Sequence, residues 1–245
     1  MGNDFFRFKR FTVRQSLAAM KVGVDSVLLG AWADVSQASR ILDVGTGTGL
    51  LALMLAQRNP AAMIDAVEID PAACLQALQN VSDCPWANRI RVICDDFRHF
   101  ACRDVVARYD MLISNPPYFT NSLKSAGEQR RLARHNDSLP FSALIDGQKR
   151  LLSPEGVMAV ILPPAEAQLF IRHAVSEGLF VKRLLHVRTV SSAPPRRVLM
   201  ELSRTATNVD ERMLCMENIA RDDFTCEYRE LTGDFYLKFD EGIKK

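Results

Sequence analysis

Short apolar runs alternate with longer amphipathic stretches along most of the chain. The runs 41–44, Met63–Glu68, Ile90–Cys94, Tyr109–Ser114 and 157–162 are bounded by Gly, Pro, Asp or Asn. Runs this short predict strands covered on both faces. Between them, apolar positions recur at helical spacing, which predicts helices over 48–58, 71–82, 98–107 and 140–152. Pro163-Pro164 opens another helix that reaches about Ser176. Such alternation predicts a parallel sheet with helices on both faces. Residues 25–34 read as a short amphipathic helix. Runs 180–187 and 198–202 flank the loop 191–197 and predict a closing antiparallel hairpin. Phe235, Leu237 and Phe239 alternate with Tyr236 and Lys238, which suggests a late strand. Residues 115–138 are polar, basic and aperiodic, and so long an irregular stretch usually has a functional reason, such as a lid or binding loop, or is disordered. One unit is expected over 1–245: an arm and helix (1–35), a core (36–205) and a C-terminal extension (206–245).

Composition excludes several classes. The 245 residues are 48% hydrophobic and 24% charged, as in ordinary globular domains. No apolar run approaches the roughly 20 residues that span a bilayer. Phe5, Phe6, Phe8 and Phe11 are interleaved with Arg7, Lys9 and Arg10, unlike a secretory leader. A cytoplasmic, monomeric protein without membrane contact is expected. The six cysteines include no Cys-x-x-Cys pair, and the four histidines are scattered, so no metal site is expected. Neither a Gly-x-Ser-x-Gly elbow nor a His-Glu-x-x-His helix is present.

Candidate chemistry lies at the strand ends. The first strand runs into Asp43-Val44-Gly45-Thr46-Gly47-Thr48-Gly49. Glycine there allows positive φ and close approach of a ligand to the backbone. A dinucleotide fingerprint would need glycine where Leu50 stands, and Asp43 is a poor neighbour for a pyrophosphate. A phosphate-free cationic nucleoside suits the turn better. The second strand ends in Glu68, placed to accept ribose hydroxyls, with Ile69 beside it for an adenine ring. The third ends in Asp95-Asp96-Phe97, an acid for an adenine amine and an aromatic cover. The fourth ends in Asn115-Pro116-Pro117-Tyr118. An exocyclic or amide nitrogen is a poor nucleophile because its lone pair is delocalised. If the Asn115 side-chain oxygen and the Pro116 carbonyl each accept one N–H, that lone pair localises. The two prolines stiffen the corner, and Tyr118 offers a face for an extruded base.

These motifs resemble the Rossmann-like class I S-adenosylmethionine-dependent methyltransferases, in the amino-methylating branch that carries Asn/Asp-Pro-Pro-Tyr. The segment Lys21-Val22-Gly23-Val24-Asp25-Ser26-Val27-Leu28-Leu29-Gly30, with Pro85-Trp86-Ala87-Asn88-Arg89-Ile90, is similar to the bacterial tRNA(Val) adenine-N6 methyltransferases. The resemblance implies an α/β fold with a mostly parallel seven-stranded sheet and a C-terminal antiparallel hairpin. It implies S-adenosylmethionine held by Asp43, Gly45, Gly47, Gly49, Glu68, Ile69, Asp96 and Phe97, with Lys21 and Asp25 from the arm. Asn115, Pro116, Pro117 and Tyr118 would clamp the target amine, and a tRNA adenine would be the acceptor. Lys124, Arg130, Arg131 and Arg134, with Arg188, Arg196 and Arg197, would meet its phosphates, although the net charge of +2 argues nothing by itself. Three alternatives share parts of this pattern: a DNA adenine methyltransferase, a release-factor glutamine methyltransferase, and a non-catalytic RNA-binding module.

Overall fold

Residues 3–103, 108–117 and 139–239 are described by the structure, a computed structural model. A hairpin opens the chain, β1 (Phe5–Arg7) with β2 (Thr12–Arg14), followed by α1 (Val24–Trp32). Strand and helix then alternate: β3 (Arg40–Val44), α2 (Leu50–Arg58), β4 (Met63–Glu68), α3 (Pro71–Ser82), β5 (Ile90–Cys94), α4 (Phe97–Phe100), β6 (Tyr109–Ser114), α5 (Phe141–Leu151), β7 (Leu152–Leu162) and α6 (Pro164–Ser176). The chain closes with β8 (Phe180–Arg188), β9 (Arg197–Ser203), β10 (Asp210–Cys215) and α7 (Cys226–Thr232).

One sheet takes the order β10-β8-β9-β7-β6-β3-β4-β5. Neighbours are parallel except β9, which runs antiparallel to both β7 and β8. Alternate strand residues feed two cores. Ile41, Met111, Ile113, Ala159 and Ile161 face α1, α2, the N-terminal arm and the tail aromatics. Leu42, Val44, Leu112, Val160 and Leu162 face Phe97, α5 and α6. Burial on both faces is why these strands read as unbroken apolar runs.

Four expectations need correction. The sheet has eight strands rather than seven, because β10 adds along the edge, parallel to β8. Its sequence, Asp210-Glu211-Arg212-Met213-Leu214-Cys215, carries edge charges that hide the strand signal. The late strand at 235–239 is instead a turn and a short 3₁₀ segment, Leu237–Phe239. There Phe235 and Tyr236 are buried against the arm, and the Lys9 amide donates to the Phe235 carbonyl at 2.9 Å. The helix expected over 98–107 is one turn long, with residues 104–107 outside the described set. Finally, the strand expected to begin at 157 begins at Leu152. The turn residues Ser153 to Gly156 are looped out, since Leu152 pairs with Tyr109 and Val157 with Met111.

Among the described residues no helix is long and apolar enough to cross a membrane, and no three His, Cys, Asp or Glu side chains are grouped to hold a metal ion.

Candidate active site

At the carboxyl ends of β3, β4, β5 and β6 the strand-end residues converge on one cavity. Gly45, Gly47, Glu68, Ile69, Asp96, Phe97, Asn115 and Pro117 line it together. This is where ligands enter open α/β sheets.

The turn after β3 is shaped by its glycines. Gly45, Gly47 and Gly49 have φ of 71°, 57° and 83°, the left-handed region that L side chains avoid. A side chain at Gly45 or Gly47 would meet nothing within 4 Å, so it is backbone strain and not crowding that selects glycine there. Gly49 lies off the cavity and brings α2 close to Ala77 of α3. The amides of Gly45 and Thr46 both donate to the Val67 carbonyl, at 2.9 and 3.1 Å.

The two acids of the turn divide their work. Asp43 is fully buried beneath the loop and does not line the cavity. Its Oδ2 accepts from the Thr46 hydroxyl at 2.5 Å and the Ala52 amide at 3.2 Å, which ties β3, the loop and α2 together. Its Oδ1 has no hydrogen-bond partner. Burial pushes this carboxyl up to about 7, against the pull of those two hydrogen bonds. Glu68 does line the cavity. Its Oε2 accepts from the Gly47 amide at 2.8 Å and its Oε1 from the Asp70 amide at 2.9 Å. A carboxylate has about four lone-pair sites, so acceptor capacity remains for a diol.

Asp96 caps α4, accepting from the Arg98 amide at 2.8 Å, and the Arg98 guanidinium pairs with its carboxylate. That side-chain bond holds the Asp96 carboxyl below its ordinary range. Phe97 is 4% exposed and walls the cavity. Behind it lies Gly147 of α5, where a Cβ would fall 2.5 Å from Phe97 Cε1. The ring therefore takes the space a side chain would fill. Ile69, by contrast, is 47% exposed on the rim.

The proline corner faces the glycine turn. Ser114, 1% exposed, donates its hydroxyl to the Val44 carbonyl at 2.8 Å and locks the end of β6 to the end of β3. Asn115 follows, with Nδ2 donating to the Ser26 hydroxyl of α1 at 2.9 Å. Pro116 is buried, while Pro117 is exposed to the cavity. Tyr118, Lys124, Arg130, Arg131 and Arg134 lie outside the described residues.

The arm residues are placed differently from the expectation. Lys21 Nζ donates to the Asn3 carbonyl and is absent from the cavity wall. Asp25 pairs with the Arg197 guanidinium at 2.7 Å, so a presumed cofactor residue and a presumed RNA residue meet each other. Arg188 donates to the Ser191 carbonyl, and Arg196 is exposed on the same loop, at the cavity end of the sheet. What the arm does contribute is Ala18, Ala19 and Met20. They are carried there by α3: Asn80 bonds both backbone groups of Arg14, and Gln76 accepts from the Leu17 amide. Gln76 and Asn80 are each 1% exposed. Two polar side chains at i and i+4 on one helix face were the available sequence signal for this docking.

With the Glu68 carboxylate on its wall and apolar sides, the cavity suits a cationic, phosphate-free nucleoside rather than a pyrophosphate. The Asn115 amide beside it suits an amine.

Residues 18–165 match the family model described as methyltransferase small domain. Among curated proteins, a tRNA1(Val) (adenine(37)-N6)-methyltransferase of Bacteroides fragilis (strain YCH46) is 48% identical over 238 residues, 97% of this chain and 100% of that protein. A protein of the same description from Trichodesmium erythraeum is 44% identical, covering 98% of this chain and 100% of its own length. Among solved structures, a predicted O-methyltransferase of Agrobacterium tumefaciens superposes with a TM-score of 0.62 at 18% identity, over 86% of this chain and 96% of that one. A ribosomal protein L11 methylase from Lactobacillus delbrueckii subsp. bulgaricus gives 0.55 at 15% identity, over 79% and 84%. At such identities the structures speak for the fold alone.

Proposed function

This chain belongs to the methyltransferase small domain family, in the group of the tRNA1(Val) (adenine(37)-N6)-methyltransferases, and we propose that it methylates the N6 amine of adenine 37 in tRNA1(Val) with S-adenosylmethionine as donor. The observation that carries this reading is the single cavity shared by the glycine turn, Glu68 and Asn115. Bound S-adenosylmethionine supplies an electrophilic methyl on a sulfonium.

Gly45 and Gly47 would give its nucleoside close backbone approach, and Glu68 would take the ribose hydroxyls. Phe97 and Ile69 would cover the adenine, with Asp96 at its polar edge. Asp43 acts from below, organising the turn through its bonds to Thr46 and Ala52. Asn115 Oδ1 and the Pro116 carbonyl accept the two hydrogens of the target amine. The lone pair would then be localised on nitrogen and free to act as a nucleophile, with proximity supplying most of the acceleration. The proton leaves after attack, when the nitrogen has become acidic, so no dedicated base is required. Arg188 and Arg196 sit at the cavity end of the sheet, where phosphates of an anticodon stem would pass. An unpaired loop base is extruded at low cost. The enzyme acts as a cytoplasmic monomer in this reading.

Labelled S-adenosylmethionine offered in parallel to unmodified tRNA, rRNA, DNA and release factor tests it. Label in tRNA, recovered as N6-methyladenosine after nucleoside digestion, is the expected result. Label in protein alone would overturn the RNA assignment. Asn115→Ala should lower turnover by roughly 100-fold or more, the scale of removing one preorganised hydrogen-bonding group, with cofactor affinity nearly unchanged.

A further inference from the structure

An asparagine amide is planar, with an acceptor at one end and two donors at the other. Only one of its two orientations presents oxygen to an incoming amine. The flipped form sets NH₂ against NH₂, donor against donor. The clamp therefore needs a partner that holds the far end of the Asn115 amide.

That partner is Ser26. Its hydroxyl oxygen accepts from Asn115 Nδ2 at 2.9 Å, its one side-chain hydrogen bond among the described residues. Ser26 stands in the first turn of α1, a helix held firmly in place. Val27, Leu28 and Leu29 are buried with at most 1% exposure. Gly30 seats the helix against Met54, and the preceding Asp25 is tied to Arg197. Asn115 is fixed from its other side by the Ser114–Val44 bond and by the proline that follows it. The amide plane is thus spanned between two rigid elements, the end of β6 and the start of α1.

We propose that Ser26 is a positioning residue for methyl transfer: its hydroxyl bonds the far end of the Asn115 amide and fixes the plane in which Oδ1 meets the substrate amine. This rests on the reading of Asn115 as the amine acceptor. It also assigns the N-terminal arm a part in rate, beyond its part in walling the cavity.

The test is a double-mutant cycle on Ser26→Ala and Asn115→Ala, with Ser26→Thr as the variant that keeps the hydroxyl. Single-turnover methyl transfer is measured on whichever acceptor takes label in the parallel assay, so a wrong substrate assignment leaves the comparison standing. S-adenosylmethionine affinity is followed by calorimetry. Ser26→Ala should slow transfer by about tenfold, the net value of one hydrogen bond, with cofactor Kd and acceptor KM within about twofold. Ser26→Thr should recover most of the rate. In the Asn115→Ala background, Ser26→Ala should change nothing further. Wild-type transfer by Ser26→Ala would overturn the proposal. So would an equal loss in both backgrounds, which would mark Ser26 as a part of the scaffold only.

Discussion

Replacing Gly147 by alanine should weaken cofactor binding although the residue lies outside the cavity. The added methyl would sit 2.5 Å from Phe97 Cε1 and 3.5 Å from the Ala101 Cβ. Carbon atoms pack best at about 3.5–4.0 Å, so the ring must retreat by about 1–1.5 Å. Ala101 and α5 close the space behind, and the cavity is the open side. Overpacking of this kind costs about 1–3 kcal/mol, while alanine in place of helical glycine returns about 1 kcal/mol. The fold should therefore lose at most about 2 kcal/mol, a small downward shift in melting temperature. A ring pushed into the adenine position should cost about tenfold in S-adenosylmethionine affinity, near 1.4 kcal/mol. Calorimetric titration of wild type, Gly147→Ala and Gly147→Ala/Phe97→Leu measures this. The smaller leucine should return part of the lost affinity. Unchanged affinity in Gly147→Ala would refute the assignment of Phe97 as a cofactor wall held in place by that glycine.

Other expectations follow from the same contacts. Because burial raises Asp43 to about 7 from the ordinary 3.8, the folded state holds a proton that the unfolded chain releases. Its contribution to stability is complete below about pH 4 and is lost as pH rises toward 7, by up to about 1.4 kcal/mol per unit. The stability of Asp43→Asn relative to wild type, from denaturation at a series of pH values, should therefore climb across that window. Parallel pH profiles for the two proteins would rule the shift out. Ser114→Ala should cost about 1 kcal/mol in urea unfolding and slow methyl transfer, because the proline corner loses its tie to Val44. Unaltered kinetics would show that β6 needs no such lock.

Much of the sheet was legible because central strands covered on both sides write their burial directly into sequence. Strands over 63–68 and 109–114, and helices over 71–82 and 164–176, have the bounds that the apolar pattern predicts. One edge, β5 over 90–94, was legible as well, but the other was not. β10 is mostly exposed and gains its conformation from pairing with β8, a partner that its own residues do not announce. Likewise, the alternating aromatics at 235–239 mimic a strand, yet Tyr236 lays its ring against Phe6 and Phe8 and Phe239 against Phe224 and Tyr228. The arm hairpin was invisible for the same reason, since its two strands are three residues each.

For the site, sequence alone determined which chemistry stands at each strand end. A parallel sheet must deliver those ends to one edge, so the glycine turn, Glu68, Phe97 and Asn115 were bound to be neighbours. Only the tertiary structure decided what each group faces. Asp43 and Glu68 are both acids at this turn, but one lies sealed beneath it and the other opens on the cavity. Asp25 and Arg197, 172 positions apart, neutralise each other, and Ser26 reaches Asn115 across 89. The direction of a side chain depends on which distant element packs against it. No local pattern carries that information.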